Sequence, residues 1–481
     1  MKNQFLLYTI GASAYALINL TLVPLYVKEL ATDQYGLLSL FFVTVNLIIT
    51  ITGLGIQNSI IRYYYETEDR RDVIKAKNSV FVYTVIIAIL LITLFLSVSF
   101  ISTLYAEYLN LAIALIIIVP SRIGIQVSLG LLRVQERLGR YLLLTLGEII
   151  IVLIGIFIIF LNNEITIEKV AYIYSFAALF VFICSYIGSK FSLEFDWKFF
   201  SFVIKFGLPL ALANLVSYLI NYGNRYILAY IDSNESVAYF DVAQKFTSIL
   251  SLLIVSGFTL SFTPYYLKLY QEVDLQSFRK RINQLITAFV YIYLILGFFL
   301  ISLDSYLIKF LEKDEYLVSL SISNYLLLSQ LFYVLFMLYT LSLNISKKTI
   351  YEFYITTITL ILGFIISFIL IKYYSLTGAA ISHMLNSITS LILILMYNHL
   401  KFKLNTSTLK HATMVLIFFG YSLIEPTLPV WIKLMVCLIC LPKLFVEIKT
   451  LATINSTLSA TPYKSFLLAL NPPIKPVTWV P

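Results

Sequence analysis

A few ionisable and amide side chains lie inside stretches of the chain that are otherwise apolar. They are Arg122, Gln126, Glu148, Asn221, Arg225, Asp241, Lys245 and His383. Charge in such a setting is expensive and normally faces a cavity or a partner, so these residues mark where function would sit. Arg122 interrupts LNLAIALIIIVPSRIGIQVSLGLL, a run long enough to cross a bilayer. Two roles are open to it: a fixed positive charge offered to an anionic cargo at mid-membrane, or half of a buried ion pair for which Glu148 is the nearest partner in sequence. Arg225 either faces the cargo or extends its guanidinium to the outer interface. Asp241 and Lys245 stand four residues apart, so they either neutralise each other or serve cargo and coupling ion separately. His383, beside Asn386 and Ser387, is either a proton relay or a packed histidine. Pro120, just before Arg122, frees a backbone carbonyl, which is tolerated where a helix borders a cavity.

Nothing in this set has the makings of a catalytic or metal centre. The chain has 3 cysteines, of which Cys437 and Cys440 form a lone C-x-x-C in apolar sequence. That setting disfavours thiolate chemistry. No GxxxxGK[ST] loop is present to cradle phosphates, which argues against an ATP-driven pump. The expectation is a non-enzyme with no cofactor, with coupling to H⁺ or Na⁺ left open.

The elements that must hold these residues are membrane spans. Of the 481 residues 60% are hydrophobic and 12% charged, a composition that a water-soluble core of this length does not require. Runs near the roughly 20 residues needed to span recur at 5–27, 37–57, 79–101, 109–132, 141–161, 170–188, 202–231, 237–262, 282–303, 317–343, 351–371, 376–398, 411–424 and 428–446. The class is therefore an all-α polytopic membrane protein with about fourteen transmembrane helices. The first run, preceded by Met1, Lys2 and Asn3, reads as a retained helix.

Charge sets the orientation. With the N-terminus in the cytoplasm and the spans alternating, 25 of the 34 Lys and Arg residues fall on the inner side, while the outer breaks hold Lys28, Lys169, Lys309, Lys313, Lys372 and Lys433. The positive-inside rule fixes that arrangement. The net charge of +9 then reflects topology and the anionic inner leaflet, and nucleic acid is not expected as a partner. The longest polar break, NSIIRYYYETEDRRDVIKAK (Asn58–Lys77), is cytoplasmic, and no outer break is long enough for a folded catalytic domain.

A shift of 202 residues places Leu17-Ile18-Asn19 on Leu219-Ile220-Asn221, Gly55 on Gly257, and Tyr63-Tyr64 on Tyr265-Tyr266. Two copies with an even number of spans share one orientation, as in transporters built from parallel lobes. The expected domains are a six-helix lobe at 1–200, a second at 201–400, two extra helices at 401–446, and a tail at 447–481 rich in Pro, Ser and Thr and expected to be disordered.

Helical periodicity aligns the polar residues into seams: Arg122, Gln126 and Arg133; Asn214, Ser217, Tyr218, Asn221 and Arg225; Asp241, Gln244, Lys245, Ser248 and Thr259; Ser39, Asn46, Thr50, Gly53 and Gln57. Such seams either glue helices together or line a wet cavity. A cavity of hydroxyls and amides suits a sugar, whose hydroxyls need donors and acceptors.

The stretches IGASAYALINLTLVPLYVKELATDQYGLLSL and GLGIQNSIIRYYYE, with LLRVQERLGRY further on, resemble the polysaccharide-exporting, O-antigen (Wzx-type) flippases of the MOP superfamily. Lipid II flippases and MATE exporters are their relatives. The matching features are Pro24 ending the first helix, Tyr35-Gly36 opening the second, and Gly55 with Arg62 closing it. The resemblance implies two six-helix lobes around a central cavity, carrying an undecaprenyl-pyrophosphate-linked oligosaccharide, the repeat unit of O-antigen or a similar surface polysaccharide, across the bacterial inner membrane by alternating access. Partners so implied are the lipid-linked oligosaccharide, membrane lipids and other polysaccharide assembly proteins. Three embedded cations against two embedded anions favour a pyrophosphate or acidic sugar. On this reading Arg122, Arg225, Lys245, Gln126 and Asn221 bind substrate, and Asp241, Glu148 and His383 serve ion coupling or pairing. The alternatives are a membrane-integral glycan polymerase or transferase, which needs a large outer loop, and a MATE-like drug exporter, which needs embedded carboxylates for cationic drugs.

Overall fold

The computed structural model describes residues 21–67, 69–101, 108–187, 194–250, 275–309, 311–345 and 350–402. Most of the first expected span, the last two and the C-terminal tail lie outside them, as do Thr259, Cys437 and Cys440. Every regular element among the described residues is helical. That follows from the apolar runs themselves, because backbone N–H and C=O groups in lipid must be satisfied within the segment.

The helices are α1 (Val23–Glu29), α2 (Thr32–Thr52), α3 (Ile56–Glu66), α4 (Arg70–Ile101), α5 (Leu109–Val134), α6 (Leu138–Leu161), α7 (Ile167–Tyr186), α8 (Trp197–Phe202), α9 (Leu208–Ile231), α10 (Asn234–Leu250), α11 (Leu275–Lys309), α12 (Leu320–Ile345) and α13 (Ile350–Phe402). Among the described residues eight segments are long and apolar enough to cross a membrane. One of them contains α13, which bends at Ser375, where φ is 49°. That bend separates the two spans expected at 351–371 and 376–398. The surface is as apolar as the core. On α6 the exposed face carries Leu143, Ile150, Ile154 and Phe157, and the buried face carries Leu144, Ile149, Val152 and Ile156. A helix apolar on both faces has lipid as its second solvent.

The structure adds local detail to the sequence reading. Pro24 lies in the first turn of α1, just after a turn at Leu22, where its missing N–H has no intrahelical partner to lose, and the helix it opens runs to Glu29, while residues 1–20 lie outside the described residues. The polar break at Asn58–Lys77 is largely helical as well. α3 buries Ile56, Ser59, Ile60 and Tyr63 at spacings of three and four residues, and Tyr63 packs its ring against Phe199 and Phe202. This is an amphipathic helix whose average hydropathy hides its apolar stripe. The run at 202–231 belongs to one continuous helical span, Trp197–Ile231, in which a π-helical turn at Val203–Gly207 joins α8 to α9.

The N-terminal helices α1–α8 share one apolar core, to which Ala238, Val242, Leu311 and Tyr316 also contribute, and other residues from Ile227 onward form two more. The halves meet where α2 packs on α9 and α10. Glycine permits the closest approaches. A Cβ on Gly36 would lie 1.8 Å from the carbonyl oxygen of Asn234 at the start of α10. At the opposite end of α2, Gly55 has φ +67°, a region L side chains rarely adopt, and a Cβ there would lie 2.3 Å from the carbonyl oxygen of Gly207.

Contacts between helix ends agree with the alternation of sides read from charge. Lys28 pairs with Glu312, Thr32 bonds Glu315, Tyr172 bonds Asn110 and Ser375 bonds Asp232, all joining segments assigned to the outer side. Lys77 donates to the carbonyl of Ser185, and the Asp196 backbone N–H donates to Ser79, both inner. Single cysteines placed in a variant without native cysteines test the absolute orientation. Positions 162 and 235, where Asn162 and Glu235 are exposed, should react with an impermeant maleimide in intact cells, and position 75, where Lys75 is exposed, should react only after lysis. The reverse pattern would invert the topology.

Candidate functional site: a shared carboxylate between the halves

Asp241 is 2% exposed and lies on α10 beneath the outer ends of the helices. Seven residues from Asn234 at about 1.5 Å each put it about 10 Å down the helix. An isolated carboxylate at such a place would be prohibitively costly, and three groups converge on it. Arg225 Nη2 donates to Oδ1 at 2.6 Å. Lys245 Nζ lies 2.9 Å from Oδ2, and Tyr35 donates its hydroxyl proton to the same oxygen at 2.8 Å. Lys245 also donates to the Tyr35 hydroxyl oxygen at 3.1 Å. The i, i+4 spacing within α10 brings Lys245 to Asp241, the tight α9–α10 connection brings Arg225, and the Gly36 contact allows Tyr35 close enough.

The cluster carries two cations on one anion, a local excess of one positive charge. Arg225 is 3% exposed and uses one nitrogen on Asp241, while Nε and Nη1 are buried without a hydrogen-bond partner. Its guanidinium packs over the Tyr222 ring, 5.1 Å from the centroid. Burial this deep excludes the outward extension open to it from sequence. Lys245 keeps 34% of its side chain accessible. Asn221, one turn from Arg225, accepts at its backbone carbonyl from Gln244 Nε2 at 3.5 Å, while Gln244 Oε1 is buried without a partner. Arg225, Lys245, Asp241 and Asn221 thus lie together.

The other expected residues lie apart from these. Arg122 forms a two-pronged pair with Glu148 on α6: Nη1 donates to Oε2 at 3.2 Å and Nη2 lies 2.7 Å from Oε1. Glu148 is buried and Arg122 is mostly so. Of the two roles open to Arg122, the structure fills the paired one, so its charge is compensated. Gln126 is half-buried on α5, one turn further on. Pro120 is buried within a continuous α5. His383 is buried on α13, its ring edge-on to Phe240 at 6.3 Å and its Nδ1 without a hydrogen-bond partner.

Sequence reasoning missed Tyr35 and Asn224. Asn224 donates to the carbonyl of Ala379 and to Ser382, tying α9 to α13. Tyr35 entered the sequence reading only in the Tyr35-Gly36 pair of the family resemblance, with no site role given to it. Above the cluster the ends of these helices are tied together. Lys28 pairs with Glu312 at 2.6 Å, Thr32 donates to Glu315 at 2.6 Å, and Lys313 donates to the carbonyl of Leu30 at 2.6 Å. The Tyr316 ring stands edge-on to both Tyr35 and Tyr239. Each member of the exposed Lys28–Glu312 pair favours the charged form of the other, raising the Lys28 pKa and lowering that of Glu312 through their hydrogen bond.

A bundle of apolar helices with charge held between them defines a polytopic membrane protein. The model of the polysaccharide biosynthesis protein family matches residues 1–270, and the chain belongs to that family. The MatE family model matches residues 209–369. Among solved structures, the lipid II flippase MurJ in an inward closed conformation superposes with a TM-score of 0.68 at 17% identity, over 93% of this chain and 98% of that one. An outward-facing multidrug resistance MATE family transporter gives 0.56 at 16% identity, over 82% and 93%. A MOP superfamily transporter from Pyrococcus furiosus, described as having a binding pocket of reversed polarity, gives 0.53 at 15%, over 82% and 95%. At these identities the likeness is one of fold. No curated protein matches the sequence.

The Arg122–Glu148 geometry predicts a structural phenotype. Removing one partner of a buried ion pair leaves the other uncompensated, at about 3–5 kcal/mol. Arg122→Ala should therefore lower membrane abundance and the unfolding temperature in detergent, and Glu148→Gln in the same chain should restore both. Normal abundance of Arg122→Ala alone would show the pair to be dispensable.

Proposed function

We propose that this protein flips a polyprenyl-pyrophosphate-linked oligosaccharide, the repeat unit of O-antigen or a related surface polysaccharide, from the cytoplasmic to the outer face of a bacterial inner membrane, with its N-terminus in the cytoplasm. One observation carries the reading: the interface between the halves holds two cations on a single carboxylate, with Arg225 nitrogens unpartnered and Lys245 partly accessible. A pyrophosphate or acidic sugar completes that charge balance and supplies acceptors in the geometry a guanidinium prefers. Membership of the polysaccharide biosynthesis protein family supports the glycan, and the fold shared with a lipid II flippase supports a lipid-linked form of it. No covalent chemistry is required. The halves separate alternately at the two faces, and the prenyl chain stays in lipid while the headgroup crosses.

The MatE match over residues 209–369 keeps drug export as the second reading. Cationic drugs need a free carboxylate. Here Asp241 and Glu148 are both held by cations, which favours an anionic cargo.

Lys245 separates binding from folding. Lys245→Gln leaves Arg225 to neutralise Asp241, so the protein should persist at normal abundance while surface glycan falls at least tenfold in a strain lacking the native gene. Arg225→Gln should lose abundance as well, because it removes the more buried partner. Wild-type glycan from Lys245→Gln would overturn the cargo role.

A further inference from the structure

Asp241 and both cations that hold it lie beyond residue 200, in the second of the two expected lobes. Tyr35 is the exception. It comes from α2, in the first half, and donates to the Asp241 oxygen that also faces Lys245. A single carboxylate therefore both balances the charge of the cargo site and fastens the two halves beneath the closed outer ends. We infer that Asp241 is a built-in stand-in for the cargo anion, and that Tyr35 is the positioning residue through which occupancy of the site releases the outer closure. This rests on the reading of the site as an anion site.

The physical argument is competition. Lys245 and Arg225 can give their donors to Asp241 or to an incoming pyrophosphate, and a multiply charged anion with more acceptor oxygens is the stronger claimant. As Lys245 turns to the cargo, Oδ2 of Asp241 loses its cation, and the Tyr35 hydroxyl loses the Lys245 proton it accepts. The clasp between the halves loosens only when an anion is present to take over the cations. Ligand binding shifts a two-state equilibrium only through differential affinity, and the shared donors supply that difference. Tyr35 is also edge-on to Tyr316, within the segment whose Glu312, Lys313 and Glu315 close against Lys28, Leu30 and Thr32. Movement of Tyr35 thus reaches the closure directly. Other bonds join the halves without touching the charges: Tyr218 donates to the carbonyl of Val43, and Tyr226 bonds Thr44.

The test uses the full chain in detergent with Cys184, Cys437 and Cys440 changed to Ala and cysteines at positions 28 and 312. Losing an exposed ion pair there costs little. A short flexible bis-maleimide reports outer closure, and a radiolabelled polyprenyl pyrophosphate is the probe, its binding measured on immobilised protein. In the parent, saturating probe should slow crosslinking about tenfold, the change expected when one hydrogen bond to a carboxylate is lost. Tyr35→Phe should crosslink slowly with or without probe. Tyr226→Phe, which removes a bond between the halves outside the charge cluster, should retain the response to probe, whereas a purely structural role for Tyr35 would make the two variants behave alike. Probe that binds the parent without altering crosslinking would overturn the coupling and leave the anion site standing. Failure of the parent to bind probe would overturn both.

Discussion

The arrangement depends on one buried carboxylate. Asp241 is held near the ends of the helices by Arg225, Lys245 and Tyr35, which surround it, and each of those contacts demands something of the fold. The arginine requires a short turn between α9 and α10. The lysine requires an unbroken helical turn. The tyrosine requires that α2 approach α10 closely enough for a glycine to touch a backbone carbonyl. Removing the carboxylate would leave two cations facing each other across the interface, so charge and packing are set by the same contact.

A second ion pair, Arg122–Glu148, obeys the same electrostatics with a different outcome. Both members lie in the first half, their forks meet at two points, and the charges cancel. Such a pair fixes the register of α5 against α6. Its one-to-one pairing contrasts with the two cations on Asp241.

Much of this was readable in the sequence, and what was not has physical reasons. Hydropathy found the helices because lipid selects apolar residues on every face. It gave no sign of the helix that enters the polar break at Asn58–Lys77, where a stripe of Ile56, Ser59, Ile60 and Tyr63 is diluted by the polar residues between them. The Asp241–Lys245 pair was visible in its i, i+4 spacing, and Glu148 was identifiable as the nearest anion to Arg122. Arg225 on Asp241 was not, because they stand sixteen positions apart with a turn of unknown geometry between them. Tyr35 carries no charge and lies more than two hundred residues from its carboxylate. Only tertiary structure could bring it there.

The glycine at position 36 has a consequence of its own. Its hydrogen faces the Asn234 carbonyl at a distance no methyl group can share, but the overlap exists only while the outer ends of α2 and α10 are together. An alanine at this point would penalise one member of the conformational ensemble and leave any splayed member untouched. The change would act through packing alone, with no change in the ionic groups, so side-chain volume at position 36 is limited by a backbone carbonyl on another helix.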